Sequence, residues 1–425
     1  MTVAAGGIGV RSEIGRLRRV LIHRPGREID WMVPSMMDRL LFDDILYGED
    51  ARFEHDLFRG VLEAAGVEAL DPQELLGEVL ESPEPRASLV DDLHRWNLDD
   101  DVVSELAAAP GPDLAAALVG GLRVEEAHPG ERLRHFYRLA PVPNYFFQRD
   151  PQVVMGDRVL VSSMATEARG REPYLSSMVF EHHPALSGWR EMIRLHEPQA
   201  EEVPRRPMVE GGDLLVPHHD VLIVGLSERT NRYGVDSLAR HLLRADTGFR
   251  HLVVVEIPSR RSYMHLDTVF TFIDHGLCLT YLPVTAPGGA EAGDVYRVDL
   301  GAKEVSYTLC DDLPAALRHV GLDVELVPCG GSESLIDQQR EQWTDGANAF
   351  ALAPGVITMY QRNRRTVDEL SRRGFRIVQG DEVVTGAAEV LGHGPTAVVL
   401  PDNELSRARG GPRCMTMPVL RDPLP

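Results

Sequence analysis

Cysteine is scarce in this chain: Cys278, Cys310, Cys329 and Cys414 are the only four in 425 residues. They are too few and too irregularly spaced for a secreted disulfide framework or a CxxC metal site, which points to reduced thiols in the cytoplasm. Basic residues are outnumbered, 44 against 65 acidic ones, for a formal net charge of −21. Phosphate backbones are bound by clustered Lys and Arg, so this balance excludes a nucleic-acid partner, and it disfavours an anionic membrane surface for the same reason. Long apolar runs are absent as well: no stretch approaches the roughly eighteen residues of a membrane span. The N-terminal MTVAAGGIGVRSEIGRLRRV lacks the apolar core of a signal peptide. We expect a soluble intracellular protein, of up to about three domains by length, with enough chain to bury its own core.

Among the segments present, residues 71–140 have a distinct texture. Leu75, Leu76, Val79 and Leu80, then Leu89, Val90 and Leu93, then Leu114, Ala117, Leu118 and Leu122 recur at helical spacing between prolines and acidic runs. This reads as an acidic helical subdomain inserted between two strand-rich stretches, residues 1–70 and 141–425. The flanking chain repeats loosely. QVVM-GD-RVLVSS, DLLV-PHHD-VLIVGLS, VFTFI-DHG-LCLTYL and AFALA-PG-VITMY each pair two apolar runs across a short turn-forming segment. Three of them run on into a helical pattern. A fifth unit is expected to join RRVLIHRPG to the last strand, closing a ring through the two termini. The period is irregular, about 55 to 80 residues, so the repeat is one of plan and not of length.

The segments before the hairpins are polar: NYFFQRDP, VEGGDLL, MHLDTVF, REQWTDGAN and, near the C-terminus, RGGPRCMTM. If the units surround an axis, Asp150, Glu210, Asp213, His265, Asp267 and Cys414 become neighbours. Arg24, Arg169 or Arg171, Arg229, and Arg362 or Arg364 would then form a ring of cations at one mouth. A thiolate with an imidazole suggests nucleophilic catalysis. Several carboxylates beside it suit a cationic substrate. A guanidinium pairs bidentately with carboxylates, and arginines on the far side suit a carboxylate, so the constellation fits arginine itself.

The stretches GVRSEIGRLRRVLIHRPG, LLFDD, PVPNYFFQRDP, VEGGDLL, SERTNR, HLDTVFT, REQWTDGAN and NELSRARGGPRCMTMP, in that order, resemble the arginine deiminase family of the guanidino-group-modifying superfamily. The resemblance covers nearly the whole chain. It implies an α/β fold, a five-bladed pseudo-symmetric propeller with a helical insertion, and hydrolysis of L-arginine to L-citrulline and ammonia without metal or organic cofactor. It also implies roles. Cys414 would be the nucleophile and His265 the acid and then the base. Asp150 and Asp267 would clamp the guanidinium, and Glu210 would support His265. Asn144, Arg169, Arg229 and Arg409 would hold the amino and carboxylate groups, with Arg171 a rival to Arg169. Leu41 and Phe147 would flank the methylene stem. Some family members carry His before the nucleophile where this chain has Arg413. A fixed positive charge there would favour the thiolate if it faced the sulfur.

Other residues have plainer readings. Cys278 in LCLTYL suits a core position. The pairs His182–His183 and His218–His219 lack metal-ligand spacing and read as solvated turns. The alternatives carried forward are an amidinotransferase of the same superfamily, an agmatine-type deiminase, and a catalytically silent arginine-binding protein. The partner expected is the small molecule L-arginine, with the chain assembled as a homo-oligomer.

Overall fold

A computed structural model describes residues 7–96, 98–124, 136–195 and 206–424. Residues 1–6 of the N-terminal stretch, and residues 97 and 125–135 of the helical segment, lie outside the described residues.

Apolar runs separated by turn residues form the four expected hairpins: Gln152–Met155 with Arg158–Val161, Leu214–His218 with Val221–Leu226, Phe270–Asp274 with Leu277–Thr280, and Phe350–Ala353 with Val356–Tyr360. Each second strand then gains a parallel neighbour from further along the chain, respectively Glu191–Arg194, His251–Glu256, Glu325–Pro328 and Thr396–Leu400. The fifth unit joins the ends of the chain. Thr416–Arg421 pairs antiparallel with Leu17–Ile22, which pairs in parallel with Glu68–Leu70. Two of the five sheets are larger: Arg376–Gln379 adds to one. The hairpin Val295–Asp299 with Tyr307–Cys310, which the sequence reading missed, adds to the other.

Helices connect the strands where expected. In Arg232–Arg244, Asn231 caps the start by accepting from Gly234 N–H at 2.8 Å. Val235, Leu238, Ala239 and Leu242 make its buried stripe, packed with Leu222, Val224, Leu252 and Val254. Each such leucine removed from water contributes about 1.5–3 kcal/mol. Within residues 71–140, helices Pro72–Val79, Pro83–Arg95, Asp100–Ala108 and Gly111–Gly120 are present. The first is capped by Asp71, which accepts from Gln73 N–H. Their buried leucines share one core with Val154, Val159, Leu175 and Met417. Among the described residues no helix is long and apolar enough to cross a membrane.

The five first strands matter most for function, because the segment entering each one carries a polar side chain. Asp150 precedes Gln152–Met155, and Glu210 precedes Leu214–His218. His265 and Asp267 precede Phe270–Asp274, Asn348 precedes Phe350–Ala353, and Cys414 precedes Thr416–Arg421.

Candidate active site

Three of those segments meet in one narrow cavity, through Asp150, His265 and Cys414, and Glu210, Asp267 and Asn348 contact these from outside the lining. Its lining includes Leu41, Asn144, Phe147, Asp150, Arg169, Arg229, His265, Arg409 and Cys414, with Arg261, Met264, Thr268 and Ala408 beside them. Cys414 is buried, and its sulfur lies 3.7 Å from Asp267 Oδ2. The loop is fixed by Asn348: Cys414 N–H donates to Asn348 Oδ1 at 3.1 Å, and Asn348 Nδ2 donates to Asp267 O at 3.0 Å. One amide thus holds Cys414 and Asp267 in register. Burial pushes the Cys414 thiol well up, reinforced by Asp267, Asp150 and Asp345 and opposed by Arg413.

His265 lies between two carboxylates, with Nε2 2.9 Å from Glu210 Oε2 and Nδ1 3.6 Å from Asp150 Oδ1. Burial alone would lower this imidazole, but Asp150, Glu210 and Asp213 outweigh it and raise it to about 9. The ring therefore holds a proton at neutral pH, as an acid for a leaving nitrogen requires. The close approach depends on Gly212, where a Cβ would come within 2.5 Å of His265 Nδ1. Glu210 also accepts from Ala165 N–H at 2.8 Å. Asp213, its near neighbour, holds the His265 loop by accepting from Leu266 N–H at 2.8 Å.

Arg229 and Arg409 also line the cavity and are buried, with Nε and Nη1 of each making no hydrogen bond; Arg229 Nε lies 3.6 Å from Glu228 Oε1. Arg409 packs 3.4 Å from the Trp343 ring centroid, in a left-handed backbone conformation (φ 63°). Leu41 takes a similar conformation (φ 55°). Asn144 donates to Leu40 O at 2.7 Å, which fixes the segment carrying Leu41. Arg261, which sequence reasoning did not single out, grips Asp43 through Nε and Nη2 at 3.0 and 2.6 Å. Nothing in its local sequence separates it from a surface arginine. Asn348 was within reach of inference, since TDGAN occupies the same place before its strand as HLD and EGGD do before theirs.

Arg169 lines the cavity, but its guanidinium is already engaged. It donates to Glu172 at 2.8 and 2.6 Å and to Asp150 Oδ2 at 2.8 Å. Arg171 faces elsewhere, donating to the backbone oxygens of Leu118 and Ala140. The expected ring of arginines is only partly formed. Arg24 pairs with Asp56, and Arg362 with Ser406 and Asp402; neither lines the cavity. Arg413 also departs from the simple expectation: its guanidinium binds Glu13 and Asp267, and it acts on the sulfur through Asp267.

Asp150, Glu210 and His265 each offer a ligand atom within 4.8 Å of the others. Arg169 lies 2.8 Å from Asp150 and 3.8 Å from Glu210, so a divalent cation placed there would meet a fixed positive charge. His218, His219 and Asp220 form a second such group on the surface, in the turn of a hairpin. Cys278 is fully buried within its strand, as its sequence suggests.

Comparison with known proteins gives a concordant result. A family model for arginine deiminase matches residues 38–107 and 122–421. Arginine deiminase of Clostridium perfringens is 34% identical over 439 residues, covering 98% of each chain. That of Staphylococcus aureus is 33% identical over 435 residues, covering 98% of this chain and 99% of its own. Among solved structures, an amidinotransferase of saxitoxin biosynthesis from Microseira wollei superposes with a TM-score of 0.54 at 14% identity, covering 98% of both chains. The N-terminal domain of ArgZ, an arginine dihydrolase of cyanobacteria, does so at 0.50 and 16% identity, covering 96% of this chain and 99% of the other. Both share the mixed α/β fold.

Proposed function

Because the chain belongs to the arginine deiminase family, we propose that it hydrolyses L-arginine to L-citrulline and ammonia, and that the cavity described above is where it does so. The observation that carries this reading is the polarity of the cavity. It holds Cys414, backed by Asp267, together with Asp150, and also two buried arginines, Arg229 and Arg409, with N–H groups that make no hydrogen bond. Arginine has the matching charges, a guanidinium at one end and a carboxylate at the other.

In the reaction as we read it, Asp150 and Asp267 receive the guanidinium, and the substrate's positive charge offsets theirs as the Cys414 proton is lost to solvent. Cys414 Sγ attacks the guanidinium carbon, forming a C–S bond. The C–N bond to one terminal nitrogen breaks as His265 delivers a proton, and ammonia leaves a thiouronium on Cys414. His265, now neutral, takes a proton from water, whose oxygen attacks the same carbon. The C–S bond breaks, the remaining proton of the added oxygen passes to solvent, and citrulline is released; the thiolate takes a proton back from solvent as the site empties. Glu210 holds His265 in place and favours its charged form. Asn144, Arg229 and Arg409 bind the amino and carboxylate groups, and Leu41 and Phe147 flank the stem. Arg169 contributes by neutralising Asp150 and Glu172, and its approach to the substrate carboxylate would require it to leave them.

The five similar sheets, three of which send Asp150, His265 and Cys414 into the cavity from the segment before the first strand while Glu210 and Asn348 hold those residues from the other two, support a five-bladed arrangement around a central axis. Residues 71–140 then form an inserted helical subdomain. The remaining reading is of a cytoplasmic homo-oligomer that takes the small molecule L-arginine and neither nucleic acid nor membrane; sedimentation of the purified protein tests the assembly. Product analysis from L-arginine alone tests the activity. Citrulline and ammonia in equal amounts are expected, whereas ornithine with an amidinated acceptor would mark an amidinotransferase.

A further inference from the structure

Beneath the nucleophile the chain buries three arginines. Arg149, Arg413 and Arg421 are 3%, 1% and 5% exposed, and buried cations are costly unless paired. Two of them meet backbone carbonyls: Arg149 Nε donates to Arg413 O at 3.3 Å, and Arg421 Nη1 to Gly15 O at 2.7 Å. Arg413 makes the ion pairs. Its Nη1 donates to Asp267 Oδ2 at 2.7 Å, its Nε to Glu13 Oε2 at 3.1 Å and its Nη2 to Glu13 Oε1 at 3.2 Å, with Leu214 O accepting a fourth bond at 2.8 Å.

Asp267 is shared with the sulfur, and Glu13 is not. Glu13 comes from the N-terminal segment and is itself buried, with Oε1 also accepting from Val216 N–H at 2.9 Å. Burial pushes its carboxyl up, but Arg413 and Arg149 overcome that and bring it down to about 2, so it is ionised throughout the working range. A bidentate carboxylate fixes both the position and the plane of a guanidinium. That plane decides which N–H of Arg413 reaches the oxygen facing Cys414.

We propose that Glu13 is a positioning residue for the reaction: it holds Arg413 so that one N–H stays on Asp267, and by offsetting the arginine's charge it sets how readily Cys414 loses its proton. This rests on Cys414 being the nucleophile. The charged groups facing the sulfur are Asp267, Asp150 and Asp345, which oppose its ionisation, and Arg413, which favours it, with Arg409 alongside. Glu13 acts on that balance from the far side of Arg413, about 400 residues away in sequence, through the contacts at 3.1 and 3.2 Å.

Glu13→Gln tests this, because it keeps the shape while removing the charge, and Arg413 retains Asp267 and Leu214 O as acceptors. Titration of the Cys414 thiolate by ultraviolet absorbance, with Cys414→Ala protein subtracted, should shift about one unit toward acid, with alkylation at neutral pH about tenfold faster. Glu13→Asp, which keeps the charge, should shift less in the same direction. Adding Arg413→Gln to Glu13→Gln should return the titration toward that of the unmodified protein, because both charges are then gone. A folded Glu13→Gln protein with an unshifted titration would overturn the proposal and leave Glu13 a scaffold residue. If that variant does not fold, Glu13→Asp carries the same test, and a folded Glu13→Asp protein with an unshifted thiol overturns it. Citrulline formation surviving in Cys414→Ala would instead sink the reading of the nucleophile, and the two failures are told apart because the titration needs no turnover.

Discussion

Asp267 Oδ2 stands 3.7 Å from Cys414 Sγ, so the sulfur we propose as nucleophile faces a carboxylate. Like charges this close cannot both persist in a buried site, and the sulfur keeps its proton until a cation arrives between them. Inactivation kinetics should show this directly. A small cationic alkylating agent is expected to modify Cys414 at least about tenfold faster than a neutral one of equal intrinsic reactivity, and Asp267→Asn should close most of that gap. Equal rates in the unmodified protein would mean that the carboxylates do not select for charge.

Removing the sulfur should stop the reaction without unfolding the protein. Cys414→Ala opens little space, and the backbone N–H that Asn348 holds is retained. Citrulline formation is expected to fall below detection, with stability changed by about 1 kcal/mol or less.

His265→Ala should divide the two halves of the reaction. Attack by sulfur loses its proton donor, and resolution by water loses its base. Resolution suffers more, because the incoming guanidinium assists only the first half. An arginine-derived adduct on Cys414 is therefore expected after acid quench, detected by intact-protein mass spectrometry. If single-turnover mixing yields neither adduct nor product burst in His265 and Glu210 variants, the covalent route fails.

The His265 site also predicts a pH dependence of folding. Its imidazole is raised from 6.5 to about 9 in the folded protein, so the folded state binds a proton that the unfolded chain has begun to release. The contribution is fully present below about pH 6.5 and is lost as pH rises through about 9. It is on the order of 3 kcal/mol for a buried group. Denaturant titrations across that window should show stability falling in the unmodified protein and a flatter profile in His265→Asn. A parallel fall in both would assign the loss to other groups.

The hairpins were readable because their strands are apolar, short and separated by turn residues; Gln152–Met155 with Arg158–Val161 and Phe270–Asp274 with Leu277–Thr280 fall where the pattern put them. The pairing of the termini followed from the same plan. Val295–Asp299 with Tyr307–Cys310 escaped notice because YTLC lies on a sheet edge, mostly exposed, and carries no alternating pattern. Residue types and order put Cys414, His265, Asp150, Glu210 and Asp267 side by side, and the structure has them so. Charge partnership was not legible. Arg169 looked free in TEARG, yet Glu172, three residues on, and Asp150 claim its guanidinium. Arg413 is next to Cys414 in sequence and bonds the Asp267 oxygen that faces the sulfur, but nothing in the sequence pointed to Glu13 as the second claimant of its guanidinium.

Substrate selection should depend on Arg229 and Arg409. Both are buried with Nε and Nη1 making no hydrogen bond, and burial lowers both guanidinium groups from their ordinary range. Donors in that state gain much from a carboxylate and are left unsatisfied by a ligand that lacks one. Agmatine, which carries the guanidinium and the amine without the carboxylate, should therefore react with kcat/KM lower than that of arginine by about four orders of magnitude. Arg229→Ala should lower kcat/KM for arginine far more than for agmatine, since the missing guanidinium has nothing to bind in the smaller molecule. Arg409→Ala should do the same to a lesser degree, because Arg409 also packs on Trp343 and its loss disturbs the loop that leads to Cys414. Comparable kcat/KM values for the two substrates in the unmodified protein would show that these arginines serve the scaffold and not the substrate.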